Sequence, residues 1–173
     1  MRVGIGYDSH RFDPARPLVL GGVTIPDHPG LSGHSDGDAV LHAIIDALLG
    51  AAGLGGIGDM FPDDDPRYEG ADSLTLLETT VGEVHRAGYV IANIDVTVIA
   101  ESPRIAPYVR EMSDRTAPRC GLTAAEVSVK GKSNERMGWI GRGEGLAAMA
   151  VVALVGRGEA SSSGPAAGSP SPS

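Results

Sequence analysis

Alternation of hydrophobic and polar positions predicts the strands of this chain. Val3, Ile5 and Tyr7 alternate with small residues near the N-terminus, which is typical of a strand. A later apolar stretch is interrupted by Gly21-Gly22, and a glycine pair in this setting predicts a tight hairpin. Further strands are expected at residues 91–100, 127–130 and 146–155. The last segment is apolar throughout, so periodicity leaves strand and helix open, and we interpret it as a buried strand.

The first predicted helix has a strongly apolar face. That face carries Leu41, Ile44, Ile45, Leu48 and Leu49. Ser35 is expected to cap this helix, with Asp38 three residues later in the capping-box position. Glycines within residues 50–53 are expected to end it.

Two more helices complete the predicted elements. Asp72 and Gly88 mark the start and end of the second helix. The third is expected to begin near Pro103, although Pro107 and Pro118 leave its limits open. The alternation of strands and helices predicts an α/β or α+β fold. We expect a mixed four-stranded sheet with helices mainly on one face.

Composition places these elements in one soluble domain. The 173 residues are 42% hydrophobic and 21% charged, which is ordinary for a globular protein. Residues 1–156 form the predicted domain, and residues 157–173 form a Ser-, Gly-, Pro- and Ala-rich tail that is expected to be disordered. The net charge of −8 disfavours nucleic acid and anionic membranes as partners.

The same sequence predicts a cytoplasmic location. Cys120 is the one cysteine, so an intrachain disulfide is excluded, which fits a reducing compartment. The N-terminal residues lack the apolar segment and cleavage site of a signal peptide. Uninterrupted apolar runs are too short for a membrane span.

Asp8, His10 and His42 form a candidate metal site. Asp8 and His10 lie two residues apart at the end of the first strand, so both side chains are expected on one face. His42 lies inside the first helix. Two histidines and one carboxylate make three protein ligands, which is the number of a catalytic zinc site with an open fourth position.

Other interpretations of these three residues remain open from spacing alone. The Asp8 and His10 pair is also compatible with an ordinary polar surface, and His42 with a solvated helix histidine. The same ligand set occurs in the facial triad of iron oxygenases, which are commonly all-β. Asp38 and Asp46, four residues either side of His42, are candidates to accept the N–H of its second ring nitrogen.

Three further polar segments suit phosphate chemistry. Residues 33–38 form a glycine-flanked turn whose amides could hold an anion, although a plain helix cap explains most of them. Residues 55–66 form a glycine- and acid-rich loop, for which a solvated surface loop is the simpler reading. Residues 130–135 follow a strand and offer two lysines, a hydroxyl, an amide and Glu135, which suit a phosphate with a hard metal ion.

Taken together, five segments resemble the 2-C-methyl-D-erythritol 2,4-cyclodiphosphate synthases, cyclases of the non-mevalonate isoprenoid pathway. The segments are Gly-Tyr-Asp-Ser-His at 6–10, Gly-His-Ser-Asp-Gly-Asp-Ala-Val-Leu-His at 33–42, Phe-Pro-Asp-Asp-Asp-Pro at 61–66, Gly-Ala-Asp-Ser at 70–73 and Gly-Trp-Ile-Gly-Arg-Gly-Glu-Gly at 138–145. The resemblance covers nearly all of residues 1–156. It implies a homotrimer with active sites between subunits.

The resemblance also implies an activity. A substrate of this family is 4-diphosphocytidyl-2-C-methyl-D-erythritol 2-phosphate, whose 2-phosphate attacks the β-phosphorus so that CMP leaves and the cyclic diphosphate forms. By this resemblance Asp8, His10 and His42 would bind zinc, and Glu135 would bind magnesium or manganese at the diphosphate. His34 and Ser133 would stabilise the charge that develops in the transition state.

Contacts with the substrate are likewise implied by matching positions. The methylerythritol part would contact Ser35, Gly56, Ile57, Gly58, Phe61, Pro62, Asp63, Asp64 and Asp65. Cytidine would be held through the backbone of Ala100, Glu101, Ser102, Pro103, Arg104, Ile105 and Ala106. Further ligand contacts would come from Asp8, His10, His34, Lys132, Ser133, Asn134, Glu135, Trp139 and Arg142.

The chain departs from the family pattern at a few positions. Family members often carry Asp where this chain has Gly56, which removes a carboxylate expected to bind the substrate diol. Lys132-Ser-Asn replaces a threonine-rich version, and Asp64 replaces a frequent Thr. Two alternatives therefore accompany the cyclase: a metal-dependent phosphohydrolase using zinc-bound water, and a non-catalytic trimer that binds phosphorylated ligands.

Overall fold

A mixed five-stranded sheet forms the centre of the chain, whose computed structural model describes residues 1–160. The strands are β1 (Arg2–Leu20), β2 (Val23–Leu31), β3 (Tyr89–Ile99), β4 (Val127–Lys132) and β5 (Gly145–Gly156). Their order across the sheet is β2-β1-β5-β3-β4. Among the described strands, only β3 and β4 pair in parallel, and the other neighbours are antiparallel.

The prediction of four strands was wrong, and the reason lies in the length of β1. This strand runs for 19 residues and passes from the β5 pairing to a second pairing with β2. Its ladder with β2 is irregular between Asp13 and Leu18, where Pro14 and Pro17 interrupt the alternation. The expected hairpin at Gly21-Gly22 is confirmed, and it adds β2 as the fifth strand.

Helices and short helical turns connect these strands. The helices are α1 (Ala39–Ala52), α2 (Ile57–Met60), α3 (Ser73–Arg86), α4 (Val109–Thr116), α5 (Gly138–Gly141) and α6 (Arg157–Ala160). Three 3₁₀ turns cover Pro66–Tyr68, Ala117–Cys120 and Ala124–Glu126. The last helix covers the first four residues of the predicted tail, and residues 161–173 of that tail lie outside the described residues.

Two predicted helix starts were wrong. Asp38, not Ser35, caps α1, and its carboxylate accepts the backbone N–H groups of Val40 and Leu41. The same carboxylate accepts the N–H groups of Gly21 and Gly22, which joins the hairpin turn to the start of α1. The helix expected near Pro103 begins at Val109, because Pro107 disfavours helical geometry at the residue before it.

The long apolar segment at the C-terminal end is strand β5, as expected. Leu146, Ala148, Ala150, Val152 and Leu154 are fully buried beneath α1 and the neighbouring elements. Helix α1 is buried on nearly all sides, because the sheet covers one side and α3 covers another. No helix among the described residues has the length and apolar character needed to cross a membrane.

Two glycines of β1 allow α1 to lie directly against the strand. A Cβ added to Gly6 would lie 2.0 Å from the carbonyl oxygen of Ala43, and one added to Gly4 would lie 2.0 Å from that of Ala47. These distances leave no space for any side chain at either position. The alternation that places Gly4 and Gly6 towards the helix also directs Asp8 and His10 towards it.

The opposite face of the sheet exposes an apolar patch. Val3, Ile5 and Tyr7 of β1 are exposed, and Val151 and Met149 of β5 lie directly across from the last two. We call these five residues the open face. Large exposed residues in cross-strand register are unusual for a free surface and typical of an interaction site.

We predict that Gly6→Ala lowers the free energy of unfolding by about 2–3 kcal/mol, because the methyl group collides with the α1 backbone. Urea denaturation measures the change. Gly50→Ala is the matched control, since a Cβ there meets nothing within 4 Å and alanine favours a helix. Equal stability of Gly6→Ala and the wild type would show that the helix moves away without cost.

Candidate active site

The side chains of Asp8, His10 and His42 meet at one point between β1 and α1. His10 Nε2 lies 2.8 Å from Asp8 Oδ2, His42 Nδ1 lies 3.0 Å from the same oxygen, and the two nitrogens are 3.3 Å apart. Ligands of a tetrahedral zinc ion are separated by about 3.3 Å when each bond is about 2.0 Å. The three donor atoms therefore fit a divalent metal ion with an open position for a further ligand.

Local structure explains why these residues meet. Asp8 and His10 are two apart on the face of β1 that packs on α1, as the spacing predicted. His42 lies in the first turn of α1, where its backbone N–H donates to the carbonyl of Asp38. The metal triad, defined as Asp8, His10 and His42, thus combines a strand spacing with the beginning of a helix.

Negative charge in the metal triad is concentrated on Asp8. Burial raises the pKa of the Asp8 carboxyl, but hydrogen bonds from His10 and His42 outweigh it and hold that pKa well below its usual range. Burial alone would lower the pKa of His42. The hydrogen bond to Asp8 and the negative charge of Asp8 raise that pKa by more than burial lowers it, so the net shift is upward. Asp8 is consequently a carboxylate with two imidazoles as partners, which is the donor set of a cation site.

The second ring nitrogen of His42 faces two serines. Its Nε2 lies 2.9 Å from Ser35 Oγ and 3.0 Å from Ser73 Oγ. The expectation that Asp38 or Asp46 accepts this N–H was wrong. Both carboxylates accept backbone N–H groups instead: Asp38 at the hairpin turn and helix cap, and Asp46 from Ile57.

A cavity of about 260 Å³ opens beside the metal triad. Besides the triad, its walls include six predicted contact residues: His34, Ser35, Ile57, Gly58, Phe61 and Asp63. His34 Nε2 lies 3.4 Å from the carbonyl oxygen of Asp65, at the edge of the same cavity. The described chain therefore assembles the 33–38 turn, the acid-rich loop and the metal triad around one space.

The sequence motifs did not predict two residues of the cavity wall, Tyr68 and Leu76. Tyr68 stacks edge-on against Phe61, with ring centroids 5.2 Å apart. Leu76 occupies the first turns of α3. Aromatic residues are scarce in this chain, so a tyrosine just after the acid-rich loop was an available signal for the cavity wall.

A second cavity of about 460 Å³ lies between the segment after β3 and the end of β4. It is lined by Ala100, Glu101, Pro103, Arg104, Ile105, Ala106, Gly131, Lys132 and Ser133. Most of the predicted cytidine contacts therefore do surround a common space. Ser133 donates a 2.6 Å hydrogen bond to Glu135, which keeps the predicted second metal ligand beside this cavity.

Trp139 and Arg142 lie near a third space, on the outer side of His10. A cavity of about 400 Å³ is lined by Ser9, His10, Arg11, Trp139 and Glu144. Arg142 donates a 2.6 Å hydrogen bond to Glu144. Within the described chain, most of the predicted contacts are consequently divided among three cavities. The predicted contacts that line none of these three are Gly56, Pro62, Asp64, Asp65, Ser102, Asn134, Glu135 and Arg142.

Comparison with known proteins identifies the family. The YgbB family model matches residues 1–155. A relative from Gemmatimonas aurantiaca, named 2-C-methyl-D-erythritol 2,4-cyclodiphosphate synthase, is 53% identical over 155 residues, covering 90% of this chain and 93% of the relative. The chain belongs to the YgbB family. The resemblance inferred from the motifs is confirmed, and the YgbB relatives are enzymes of the cyclase type.

Solved structures agree with the YgbB assignment. The bifunctional IspDF from Campylobacter jejuni matches with a TM-score of 0.85 and 40% identity over 88% of this chain, which corresponds to 42% of that longer chain. IspF from Plasmodium falciparum, described as a CDP complex, matches with a TM-score of 0.78 and 32% identity, covering 90% of this chain and 96% of that one. The mixed α+β fold is therefore that of the YgbB family.

Gly56 marks the position where this YgbB chain departs from the expected pattern. The 260 Å³ cavity is lined by its neighbours Ile57 and Gly58 but not by Gly56 itself. Gly56 donates its N–H to Asp59, and a Cβ built on Gly56 would lie 3.3 Å from Asp46 Oδ1. Two other carboxylates, those of Asp46 and Asp59, are thus close to the position.

Proposed function

We propose that the chain converts 4-diphosphocytidyl-2-C-methyl-D-erythritol 2-phosphate to 2-C-methyl-D-erythritol 2,4-cyclodiphosphate with release of CMP. The reaction would serve the synthesis of isoprenoid precursors in the cytoplasm. One observation carries the proposal. In a member of the YgbB family, the metal triad opens into a cavity that also contains His34 and the acid-rich loop.

The proposed reaction needs no nucleophile from the protein. An oxygen of the substrate's 2-phosphate forms a new bond to the β-phosphorus, and the bond from that phosphorus to the CMP oxygen breaks. The electron pair of the broken bond stays with CMP. Protein groups then have two tasks, which are to hold both phosphates in line and to balance their negative charge.

Two metal sites would supply positive charge to this acidic chain. Asp8, His10 and His42 would hold Zn²⁺, and Glu135 would hold Mg²⁺ or Mn²⁺. These residues would thereby supply Lewis-acid chemistry that orients and polarises phosphate oxygens. The clustered donor atoms of the triad and the exposed carboxylate of Glu135 beside Ser133 suit these two kinds of ion.

The remaining roles follow from the cavities. His34 and Ser133 would donate hydrogen bonds to the oxygens that gain charge in the transition state. The walls of the 260 Å³ cavity, with Ser35, Ile57, Gly58 and the loop at 61–65, would hold the methylerythritol part. The segment at 100–106 and Lys132 would hold cytidine, and the CDP complex of the Plasmodium falciparum relative supports this assignment.

The contact with the substrate diol would have to differ from the one expected in family members that carry Asp at position 56. The backbone of Gly56 would replace the carboxylate that family members often supply at this position. Asp46 lies close to Gly56, although it already accepts the N–H of Ile57. Trp139 and Arg142 would add contacts on the outer side of His10.

A homotrimer would bring the divided contacts together. Within the described residues, the cavity at the metal triad and the cavity at 100–106 have no lining residue in common. A neighbouring subunit that packs on the open face would cover its apolar residues and would place a second set of loops at the metal site. The active sites would therefore lie between subunits.

We predict that incubation with the cytidine-diphosphate substrate gives the cyclic diphosphate and CMP, as followed by ³¹P NMR. His42→Ala should abolish turnover with the circular dichroism spectrum unchanged, because the triad loses one donor. His85→Ala, on α3, is the matched control and should retain activity. A linear hydrolysed product would favour the phosphohydrolase, and full activity of His42→Ala would exclude a metal role for the triad.

For Glu135→Gln we predict that the Mg²⁺ or Mn²⁺ concentration for half-maximal activity rises by about tenfold, since an amide is a weaker ligand for a hard cation. The glutamine can still accept the hydrogen bond from Ser133, so stability should not change. Glu83→Gln, at a partly exposed position of α3 where Glu83 pairs with Arg86, controls for the loss of one charge. An unchanged metal titration would remove Glu135 from the second metal site.

We predict that Ile5→Glu converts the trimer to smaller species, because a carboxylate at an apolar interface loses its hydration without gaining a partner. Size-exclusion chromatography with light scattering measures the mass, and activity should fall in parallel. Thr79→Glu adds the same charge to an exposed position of α3 and should stay trimeric. A fully active monomer would contradict sites shared between subunits.

A further inference from the structure

A buried chain of hydrogen bonds continues from His42 away from the metal triad. His42 Nε2 lies 3.0 Å from Ser73 Oγ, and Ser73 donates its hydroxyl proton to Asp36 Oδ1 at 2.5 Å. Ser73 is the first residue of α3 and is completely buried. His42 belongs to α1, Ser73 to α3 and Asp36 to the turn at 33–38.

The direction of these hydrogen bonds fixes the proton on His42. A serine hydroxyl has one proton, and an ionised aspartate only accepts hydrogen bonds. Because the Ser73 proton is directed to Asp36, Ser73 presents a lone pair to His42. Nε2 must therefore carry a proton. When a metal ion takes the place of the Nδ1 proton that is shared with Asp8, the neutral ring would present its Nδ1 lone pair to that ion, on the side where Asp8 and His10 lie.

We propose that Ser73 and Asp36 are positioning residues, which hold the His42 ring in the orientation and tautomer that let Nδ1 bind the metal ion. This inference rests on the proposed metal role of His42. Ser35 also contacts Nε2, at 2.9 Å, but among the described residues its hydroxyl has no carboxylate partner and can rotate to suit either tautomer. The pair of Ser73 and Asp36, and not Ser35, therefore selects the His42 tautomer with its proton on Nε2.

Asp36 is itself held firmly in place. Its second carboxylate oxygen accepts the backbone N–H of Ser73, and Oδ1 also accepts that of Asp38, each at 3.1 Å. Its own backbone N–H donates to the carbonyl of Ala71. Asp36 therefore connects the turn that carries His34 with the start of α3, and Ser73 extends this connection to the metal triad.

A purely structural role for Ser73 makes a different prediction from a positioning role. If the hydroxyl only satisfies buried polar groups, Ser73→Ala lowers stability and leaves metal affinity unchanged. If it positions His42, metal affinity falls as well. Removal of such outer contacts typically weakens metal binding by about 10–100-fold.

The experiment measures zinc affinity by competition with a chelator, using the wild type, Ser73→Ala and Ser113→Ala. Ser113 is a matched control, since it is a buried serine whose hydroxyl donates to a helix carbonyl far from the triad in sequence. We expect a dissociation constant about 10–100-fold higher for Ser73→Ala and no change for Ser113→Ala. In the zinc-loaded wild type, ¹⁵N-edited NMR should show a protonated Nε2 on His42.

A second variant covers the case in which Ser73→Ala does not fold. Asp36→Asn keeps the side-chain shape and replaces the charged acceptor with a weaker neutral one, so zinc affinity should fall by several-fold. Wild-type affinity in every folded variant, or a zinc-loaded His42 with its proton on Nδ1, would overturn the inference. If the proposed metal site itself is wrong, the wild type would bind zinc no more tightly than His42→Ala. That result differs from failure of the positioning role, in which the wild type and the Ser73 and Asp36 variants would bind zinc equally well and more tightly than His42→Ala.

Discussion

The close contact between β1 and α1 is the constraint on which the rest of the structure depends. Gly4 and Gly6 let the helix backbone touch the strand, so close that an added Cβ would lie 2.0 Å from a carbonyl oxygen. That approach places His42 against Asp8 and His10 with donor atoms 2.8–3.3 Å apart. A larger side chain at either glycine would separate the helix from the strand and enlarge the site. Glycine is needed here for space, because neither residue adopts a positive φ angle.

Two aspartates, Asp38 fully buried and Asp36 partly buried, then fix where the helices begin. Asp38 binds the hairpin turn and the first turn of α1 together through four backbone N–H groups. Burial raises its pKa to about 6, although the hydrogen bond from Gly22 acts in the opposite direction. Asp36 performs a similar task for α3. The turn that carries His34, Asp36 and Asp38 is therefore hydrogen-bonded to both α1 and α3. These bonds keep the cavity walls in a defined position.

The electrostatics of the chain suit a substrate whose charge is balanced by metal ions. With a net charge of −8, the chain as a whole repels phosphates, and the acid-rich loop adjoins the cavity. A divalent ion held by the metal triad, as proposed, would reverse the sign of the field locally. The proposed assembly adds the lysine-containing segment of a second subunit, so that the phosphates meet positive charge from two directions.

The sequence by itself determined the features that have a local period or a dense motif. Period-two spacing predicted that Asp8 and His10 share a face. The motif blocks predicted the resemblance to cyclodiphosphate synthases, which the YgbB family match confirms, and most residues of the wall of the 260 Å³ cavity. Tertiary structure alone decided that β2 of the predicted hairpin joins the central sheet, that Asp38 caps α1 and which side chains contact His42. Ser73 lies 31 residues from His42 in the chain, and no local pattern relates the two. Such contacts depend on how whole helices pack, which is set by the combined burial of many residues.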